Sequence, residues 1–157
     1  MKPFLFCLLF TLLAATARAE TLTGVVIVVI DGDTVLFKPD HYAPQSRAFL
    51  KLRLAGIDAP EAAQPYGEAA TQALKQLALK RRASFESLAT DRYGRRVGWL
   101  DVGGVDASAL LADSGLAWPA RNAPAALRQQ VQVVRDARRG LWADAEPVPP
   151  WVWRRAN

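Results

Sequence analysis

The sequence predicts an α+β domain built mainly on a closed five-stranded β-barrel of the OB type, with about three helices. Three observations predict it: five short segments have strand-like patterns, one amphipathic helix follows the third, and two further helices follow the fifth. Five strands interrupted by one helix after the third is the order of an OB-type barrel, which closes a small sheet on itself. The 157 residues contain no internal repeat and leave no room for a second domain.

The predicted strands rest on β-branched composition and on alternation of apolar and polar residues. They are expected at residues 21–30, 34–38, 47–54, 83–88 and 96–102. The first two are joined by a tight acidic turn, Asp31-Gly-Asp33. In the third, leucines alternate with Lys51 and Arg53, so Arg53 should face away from the buried side. The last two are joined by a turn in which Gly94 suits a positive φ.

The helices are predicted from apolar spacing and from residues that begin or end helices. Residues 66–80 carry apolar side chains at i, i+3, i+4 and i+7, the pattern of an amphipathic helix. Asp106 can cap a short helix that ends at Gly115. Pro124 begins a longer one that ends at Gly140.

The N-terminal residues have the features of a secretory signal peptide. A lysine precedes an apolar run, and small residues follow it, which predicts cleavage after Ala19. We therefore expect a signal peptide over residues 1–19, a barrel domain over 20–146, and a Pro-, Trp- and Arg-rich tail over 147–157. The mature protein should be secreted or periplasmic, with no stable membrane span; an uncleaved anchor is the alternative.

Cleavage would change the composition in two ways. It removes Cys7, the only cysteine, so the mature chain forms no disulfide, and with His41 as the single histidine it has no ligand set for zinc. It also removes Lys2 and Arg18, so the formal net charge falls from +5 to +3. The remaining arginines cluster, which favours a polyanionic partner, although a solvated charged face is the alternative. These clusters are Arg81-Arg82, Arg92 with Arg95-Arg96, and Arg135 with Arg138-Arg139.

Three short segments place carboxylates and arginines in an order that suits phosphodiester hydrolysis. They are Asp31-Gly-Asp-Thr34, Arg53 with Asp58-Ala-Pro-Glu61, and Asp91-Arg-Tyr-Gly-Arg95. A phosphodiester repels a nucleophile, so its hydrolysis needs a cation, arginine donors on the anionic oxygens and a base for water. Each segment alone is weak evidence, because Asp-Gly and proline are common in turns.

Together the three segments resemble the pattern of the staphylococcal nuclease (thermonuclease) family. The resemblance extends from about Thr23 to Trp142. It implies that the carboxylates of Asp33 and Asp58, with the carbonyl of Ala59, hold a catalytic calcium ion. Calcium suits an incomplete cage of oxygen ligands, because it tolerates irregular geometry.

The same resemblance implies roles for five further residues. Glu61 corresponds to the candidate general base, which orients or deprotonates the attacking water. Arg53 and Arg95 match the arginines that grip the phosphate, since a planar guanidinium donates two hydrogen bonds and keeps its charge. Arg92 and Tyr93 are expected to contact the substrate, with Tyr93 matching a tyrosine of the nucleotide pocket.

The chain departs from the family pattern in three places. Ala59 replaces a hydroxyl residue, and the loop from Glu61 to Tyr66 is shorter than in the founding member. A second pocket tyrosine has no clear counterpart in residues 116–121. Trp118 could stack a base there instead, although packing in the core is the alternative.

We therefore expect a secreted or periplasmic, calcium-dependent nuclease, monomeric, that cleaves DNA or RNA with little sequence preference. Single-stranded substrate should be preferred and 3′-phosphate ends produced, as the resemblance implies. A non-catalytic OB module that binds nucleic acid stays open, as does a calcium-stabilised envelope protein that uses the tail for interactions. For residues 147–157, disorder, packing of the tryptophans on the barrel and stacking of a base all remain open.

Overall fold

The computed structural model describes residues 20–157, so the expected signal peptide lies outside the described part of the chain. The strands are β1 (Glu20–Asp31), β2 (Thr34–Pro39), β3 (Leu50–Leu54), β4 (Ile57–Asp58), β5 (Arg82–Thr90), β6 (Arg96–Asp101) and β7 (Trp118–Pro119). Five of them close into a barrel in the order β1-β2-β3-β6-β5. β3 and β6 are parallel, and the other barrel neighbours are antiparallel. The predicted five-stranded barrel is confirmed, although β3 begins at Leu50 rather than at Arg47.

The described residues form four α-helices, one more than expected. They are α1 (Gly67–Ala78), α2 (Ala107–Asp113), α3 (Ala125–Asp136) and α4 (Pro150–Ala156), with a 3₁₀ turn at Gly140–Ala143 before α4. The first three match the predicted helices, and Asp106 caps α2 by accepting the N–H of Ala109 at 2.8 Å. The fourth lies in the tail, where seven residues after a run of prolines show no helical period. In the part of the chain described here, no helix is both long and apolar enough to cross a membrane.

The core fills the barrel and continues beneath the helices. Alternate strand residues point inward, as the period of two requires. The largest fully buried side chains of the barrel strands are Val26, Val35, Phe37, Leu52, Leu54, Phe85 and Leu100. Each such side chain stabilises the fold by about 1.5–3 kcal/mol relative to leaving it exposed. Leu74 on α1 and Leu111 on α2 extend the same cluster, which fixes both helices against the barrel.

Two local features bring the acidic segments together. Gly32, in the turn between β1 and β2, is buried, and a Cβ added there would lie 2.7 Å from the Cβ atoms of both Ala59 and Ala70. The turn therefore packs directly on the loop after β4 and on α1. That loop is itself anchored by the short β4–β7 ladder, in which Asp58 pairs with Trp118.

Candidate active site

Asp33 lies at the bottom of the site, where the β1–β2 turn meets the loop after β4. Its Oδ1 accepts hydrogen bonds from Arg53 at 2.7 Å and from the Thr34 hydroxyl at 3.0 Å, and its Oδ2 accepts the N–H of Ala59 at 2.8 Å. Burial raises the pKa of Asp33 to about 7, while the Arg53 guanidinium acts in the opposite direction. A cation beside this carboxyl would favour its charged form.

Arg53 connects the two carboxylates that were predicted to bind the cation. Its Nη1 donates to Asp33 and its Nη2 donates to Asp58 Oδ1, each at 2.7 Å. The strand register explains this position, because Arg53 on β3 pairs with Thr34 on β2, next to Asp33. Desolvation alone would lower the pKa of Arg53, but Asp33 and Asp58 hold it above its usual value. The prediction had placed Arg53 on a phosphate; here its terminal nitrogens lie between two carboxylates.

A second guanidinium reaches the site from the tail. Arg154 on α4 donates through Nη2 to Asp58 Oδ2 at 2.8 Å and through Nη1 to Glu61 Oε1 at 2.6 Å. A longer bond of 3.2 Å joins Nη1 to Asp58 Oδ1. The hydrogen bond to Asp58 is the main reason that the pKa of Arg154 is raised. Sequence reasoning did not identify this residue as part of the site.

Glu61 is placed by a compact loop between β4 and α1. Its backbone N–H donates to the side chain of Gln64 at 3.1 Å, and its carbonyl accepts the N–H of Gln64 at 2.8 Å. Gly67, at the start of α1, packs directly against the Glu61 carbonyl. A Cβ added at this position would lie 1.8 Å from the carbonyl oxygen, so only glycine fits without a shift. The Glu61 side chain is 37% exposed, so a water molecule could approach it.

Arg95, the other predicted phosphate ligand, is held by the turn between β5 and β6. Asp91 Oδ2 accepts its Nε at 2.7 Å, and Asp91 Oδ1 accepts the N–H groups of Tyr93 and Arg95 at 2.9 and 3.0 Å. Although burial opposes the shift, these bonds from Arg95 and Tyr93 lower the pKa of Asp91. The ring of Tyr93 is 67% exposed, and the guanidinium of Arg92 lies 4.8 Å from its centre.

Two clefts meet at Arg53 and Arg95, which line both of them. One is charged, has a volume of about 530 Å³ and is completed by Asp31, Lys51, Glu61, Arg92, Tyr93 and Arg154. The other is mostly apolar, has a volume of about 780 Å³ and includes Leu54, Ile57, Leu88, Val97, Pro119 and Trp151. A charged cleft that opens into an apolar one suits a ligand with a phosphate next to a flat ring.

The carboxylates fit a hard cation such as calcium better than they fit zinc. Within residues 20–157, no group of three His, Cys, Asp or Glu side chains converges to hold an ion alone. Asp33 and Asp58 lie on one guanidinium, so they face a common space, and each oxygen can accept more than one partner. A hard cation accepts such a partial set, with water or substrate oxygens as the remaining ligands.

Comparison with known proteins places the chain in a family. The family model described as "Staphylococcal nuclease homologue" matches residues 51–144, which include Arg53, Asp58, Glu61 and Arg95. The chain belongs to this family. As a staphylococcal nuclease homologue, it is expected to act as a hydrolase of phosphodiester bonds.

Relatives of this staphylococcal nuclease homologue span most of its length. An "Uncharacterized endonuclease" of Escherichia coli O157:H7 is 36% identical over 83% of this chain and 84% of the relative. A "Micrococcal nuclease" of Shigella flexneri is 33% identical over 85% of this chain and 81% of the relative. The "Probable staphylococcal-like nuclease CAN1" of rice (Oryza sativa subsp. japonica) is 37% identical over 67% of this chain but only 32% of the relative. Nuclease names therefore recur among relatives that align with two thirds or more of this chain.

The structure decides between the two alternatives for Trp118 and shows site contacts that were not predicted from the sequence. Trp118 packs against the core, with its ring centre 4.5 Å from that of Trp142 and 5.5 Å from that of Trp151. Trp151 on α4, rather than Trp118, lines the apolar cleft. Gln64 and Asp91 hold Glu61 and Arg95 in place. The Trp-x-Trp-Arg-Arg run was the only sequence signal for the contribution of the tail.

Proposed function

We propose that the protein is a secreted, calcium-dependent nuclease that hydrolyses phosphodiester bonds of DNA or RNA with little sequence preference. The observation that carries the proposal is the meeting of the charged and apolar clefts at Arg53 and Arg95, beside Asp33 and Asp58. Such a junction can hold a phosphate and an adjoining base in one orientation. The 3′-phosphate products are proposed from the family resemblance, and secretion from the N-terminal pattern of residues 1–19.

In the proposed mechanism, Asp33 and Asp58 hold the cation, with the carbonyl of Ala59 as a further ligand. Bound calcium would polarise a phosphate oxygen and offset the negative charge that develops during attack. The two carboxylates come from different segments, the β1–β2 turn and β4, and Arg53 holds them together. Three donors fix the orientation of the Asp33 carboxyl, and its Oδ2, which accepts only one of them, can accept a further partner.

Glu61, Arg53 and Arg95 supply the rest of the chemistry. Glu61 lies in the charged cleft with a partly exposed carboxylate, where it can orient or deprotonate a water. Arg95 lies at the same junction and has terminal nitrogens left over from its Nε bond to Asp91, so it can donate to a phosphate oxygen. Arg53 holds the carboxylates of Asp33 and Asp58 close together and adds positive charge beside the reacting phosphorus. These interactions strengthen as charge accumulates in the transition state.

The apolar cleft accounts for the proposed preference for single strands. A base can enter a cleft lined by Leu88, Val97 and Trp151 only if it is unstacked from a partner strand. The apolar lining can accept any base, because stacking needs only a flat face. Arg92 and Tyr93 extend the charged side of the cleft toward solvent, where they would contact a neighbouring nucleotide.

The test is digestion of heat-denatured DNA by the chain from Glu20, with calcium or with a calcium chelator. Glu61→Gln removes the proposed base, and Glu86→Gln makes the same change at an exposed site on the barrel. We expect fragments only with calcium, from wild type and Glu86→Gln but not from Glu61→Gln. Folded protein that leaves DNA intact in every lane would overturn the proposal. If such protein still retards DNA in a gel, the alternative of a non-catalytic binding module would replace it.

A further inference from the structure

The tail delivers a positive charge to the two carboxylates at the mouth of the site. Arg154 covers Asp58 Oδ2 and Glu61 Oε1 at 2.8 and 2.6 Å, and it also lies 3.2 Å from Asp58 Oδ1. With Arg53 at 2.7 Å from the same Oδ1, both oxygens of Asp58 are bonded to guanidinium groups. Asp33, in contrast, has no bond to Arg154 and is held by donors from the barrel and the loop.

Contacts along the tail place Arg154 there. The side chain of Gln64, from the loop that carries Glu61, donates to the carbonyl of Val148. Trp151 packs edge-on against Trp118, one turn before Arg154 on the same face of α4. Pro150 is buried at the start of the helix. The helix is therefore docked through contacts other than those of Arg154.

The two arginines at Asp58 differ in how easily they can leave. The Arg53 side chain is 19% exposed and comes from a barrel strand, so it is fixed. The Arg154 side chain is 41% exposed and ends a flexible stem. Its pair with Glu61 is exposed on both sides and contributes little to stability, whereas the Asp58 side chain is only 12% exposed. Because the Arg154 side chain itself borders solvent, it can rotate outward. Release of Arg154 does not require α4 to undock.

The guanidinium of Arg154 lies where a divalent cation would share the Oδ2 atom of Asp58. A calcium ion lies about 2.3–2.6 Å from its ligand oxygens. With Nη2 of Arg154 at 2.8 Å from Asp58 Oδ2, the two positive groups would be adjacent and would repel each other. We propose that Arg154 competes with the divalent cation for Asp58, and so sets the cation affinity of the site.

This inference rests on the proposed function, because it needs Asp58 to be a cation ligand. If the site is closed by Arg154 most of the time, the apparent affinity is the intrinsic affinity reduced by the open fraction. A site open for one tenth to one hundredth of the time binds the ion about 10- to 100-fold more weakly than a permanently open one. The tail would then make activity depend on a higher calcium concentration, such as that found outside a cell.

The experiment is calorimetric titration of calcium alone into purified wild type, Arg154→Gln and Arg155→Gln. Arg155 is the matched control, because it is exposed on the same helix and its substitution removes the same charge. Arg154→Lys is a further variant, since one ammonium cannot bridge Asp58 and Glu61 as a planar fork does. Circular dichroism establishes that each variant is folded. We expect the dissociation constant to fall at least tenfold in Arg154→Gln relative to Arg155→Gln, with Arg154→Lys between them.

Equal calcium affinities in Arg154→Gln and Arg155→Gln would overturn the inference while leaving the proposed calcium site intact. Weaker binding by Arg154→Gln would also overturn it, because Arg154 would then support the cation rather than compete with it. Failure of all four proteins to bind calcium would overturn the calcium site itself, and the inference with it. Binding by Arg154→Gln alone would support the inference in its strongest form.

Discussion

Arg53 on β3 and Asp33 in the β1–β2 turn are joined by a 2.7 Å hydrogen bond, and the same guanidinium reaches Asp58 at 2.7 Å. Three motif residues from separate parts of the sequence thus form one charge network at the end of the barrel. The network assembles because Arg53 pairs with Thr34 in the β2–β3 ladder. Arg53 therefore positions the carboxylates in addition to its proposed contact with phosphate.

The first prediction concerns the planar fork of Arg53. Arg53→Lys keeps the charge, but an ammonium cannot bridge two carboxylates with parallel hydrogen bonds. We expect kcat to fall about 10²- to 10³-fold, the usual effect of losing one preorganised donor. Steady-state digestion of single-stranded DNA measures the fall.

Arg47→Lys is the matched control: it is the same exchange at an exposed position in the loop between β2 and β3, and Arg47 lines neither cleft. The control should retain wild-type kcat. Wild-type turnover by Arg53→Lys, with the fold intact, would remove the fork from the mechanism.

The second prediction concerns Asp91, which positions Arg95. Asp91→Asn removes the carboxylate that accepts the Arg95 Nε at 2.7 Å, so the guanidinium can leave the junction of the clefts. We expect kcat/KM for single-stranded DNA to fall about tenfold, because misplaced groups lose rate through poor orientation. Direct replacement, Arg95→Lys, should cost about 10²- to 10³-fold.

Asp101→Asn is the control, since Asp101 also accepts a backbone N–H in a turn but lines neither cleft.

The pH dependence of the bond between Asp91 and Arg95 has a definite sign. Because Arg95 and Tyr93 hold the pKa of Asp91 below 3.8, this contact is kept above about pH 4 and is lost only as the pH falls further. A loss of wild-type kcat/KM that follows a group of pKa near 6 would therefore not be caused by Asp91.

The barrel and most of the site could be predicted because their signals are local. The alternation around Arg53 gave both its strand and its direction, and the turn residues gave the positions of Asp33 and Arg95. The roles assigned to Glu61 and to the calcium ligands came from the family resemblance. They stay predictions until the variants are measured.

The contribution of the tail could not be predicted, for a physical reason. α4 is too short to show a helical period, and the bonds from Arg154 to Asp58 and Glu61 connect residues more than 90 positions apart. The β4–β7 ladder, only two residues long on each side, has no pattern of its own either. Both features depend on tertiary packing, which composition and spacing do not encode.

The third prediction concerns the wall that Trp151 gives to the apolar cleft. Trp151→Ala should raise KM for single-stranded DNA about fivefold, since base stacking is worth about 1–3 kcal/mol and Trp151 is partly exposed. Trp151→Phe should restore most of the loss, because a smaller ring still stacks. Val152→Ala, a truncation at the next position on α4, should leave KM unchanged. An unchanged KM in Trp151→Ala would limit Trp151 to packing on Trp118.

The last prediction concerns Gly67, which lies directly behind Glu61. A Cβ at this position would be 1.8 Å from the Glu61 carbonyl oxygen, so Gly67→Ala forces the loop to move. Overpacking of this kind costs about 1–3 kcal/mol, and we expect the free energy of unfolding to fall by that amount. The movement should also displace the Glu61 carboxylate and lower kcat.

Ala69→Ser is the control, because Ala69 is exposed two residues further along α1 and makes no contact with the loop bonds. Denaturant unfolding measures the free energy, and single-stranded DNA digestion at saturating calcium measures kcat. A fall in both quantities for Gly67→Ala, but in neither for Ala69→Ser, would tie the position of Glu61 to the start of α1. A fall in stability with wild-type kcat would mean that the loop absorbs the clash without moving Glu61, and that α1 does not set the geometry of the proposed base.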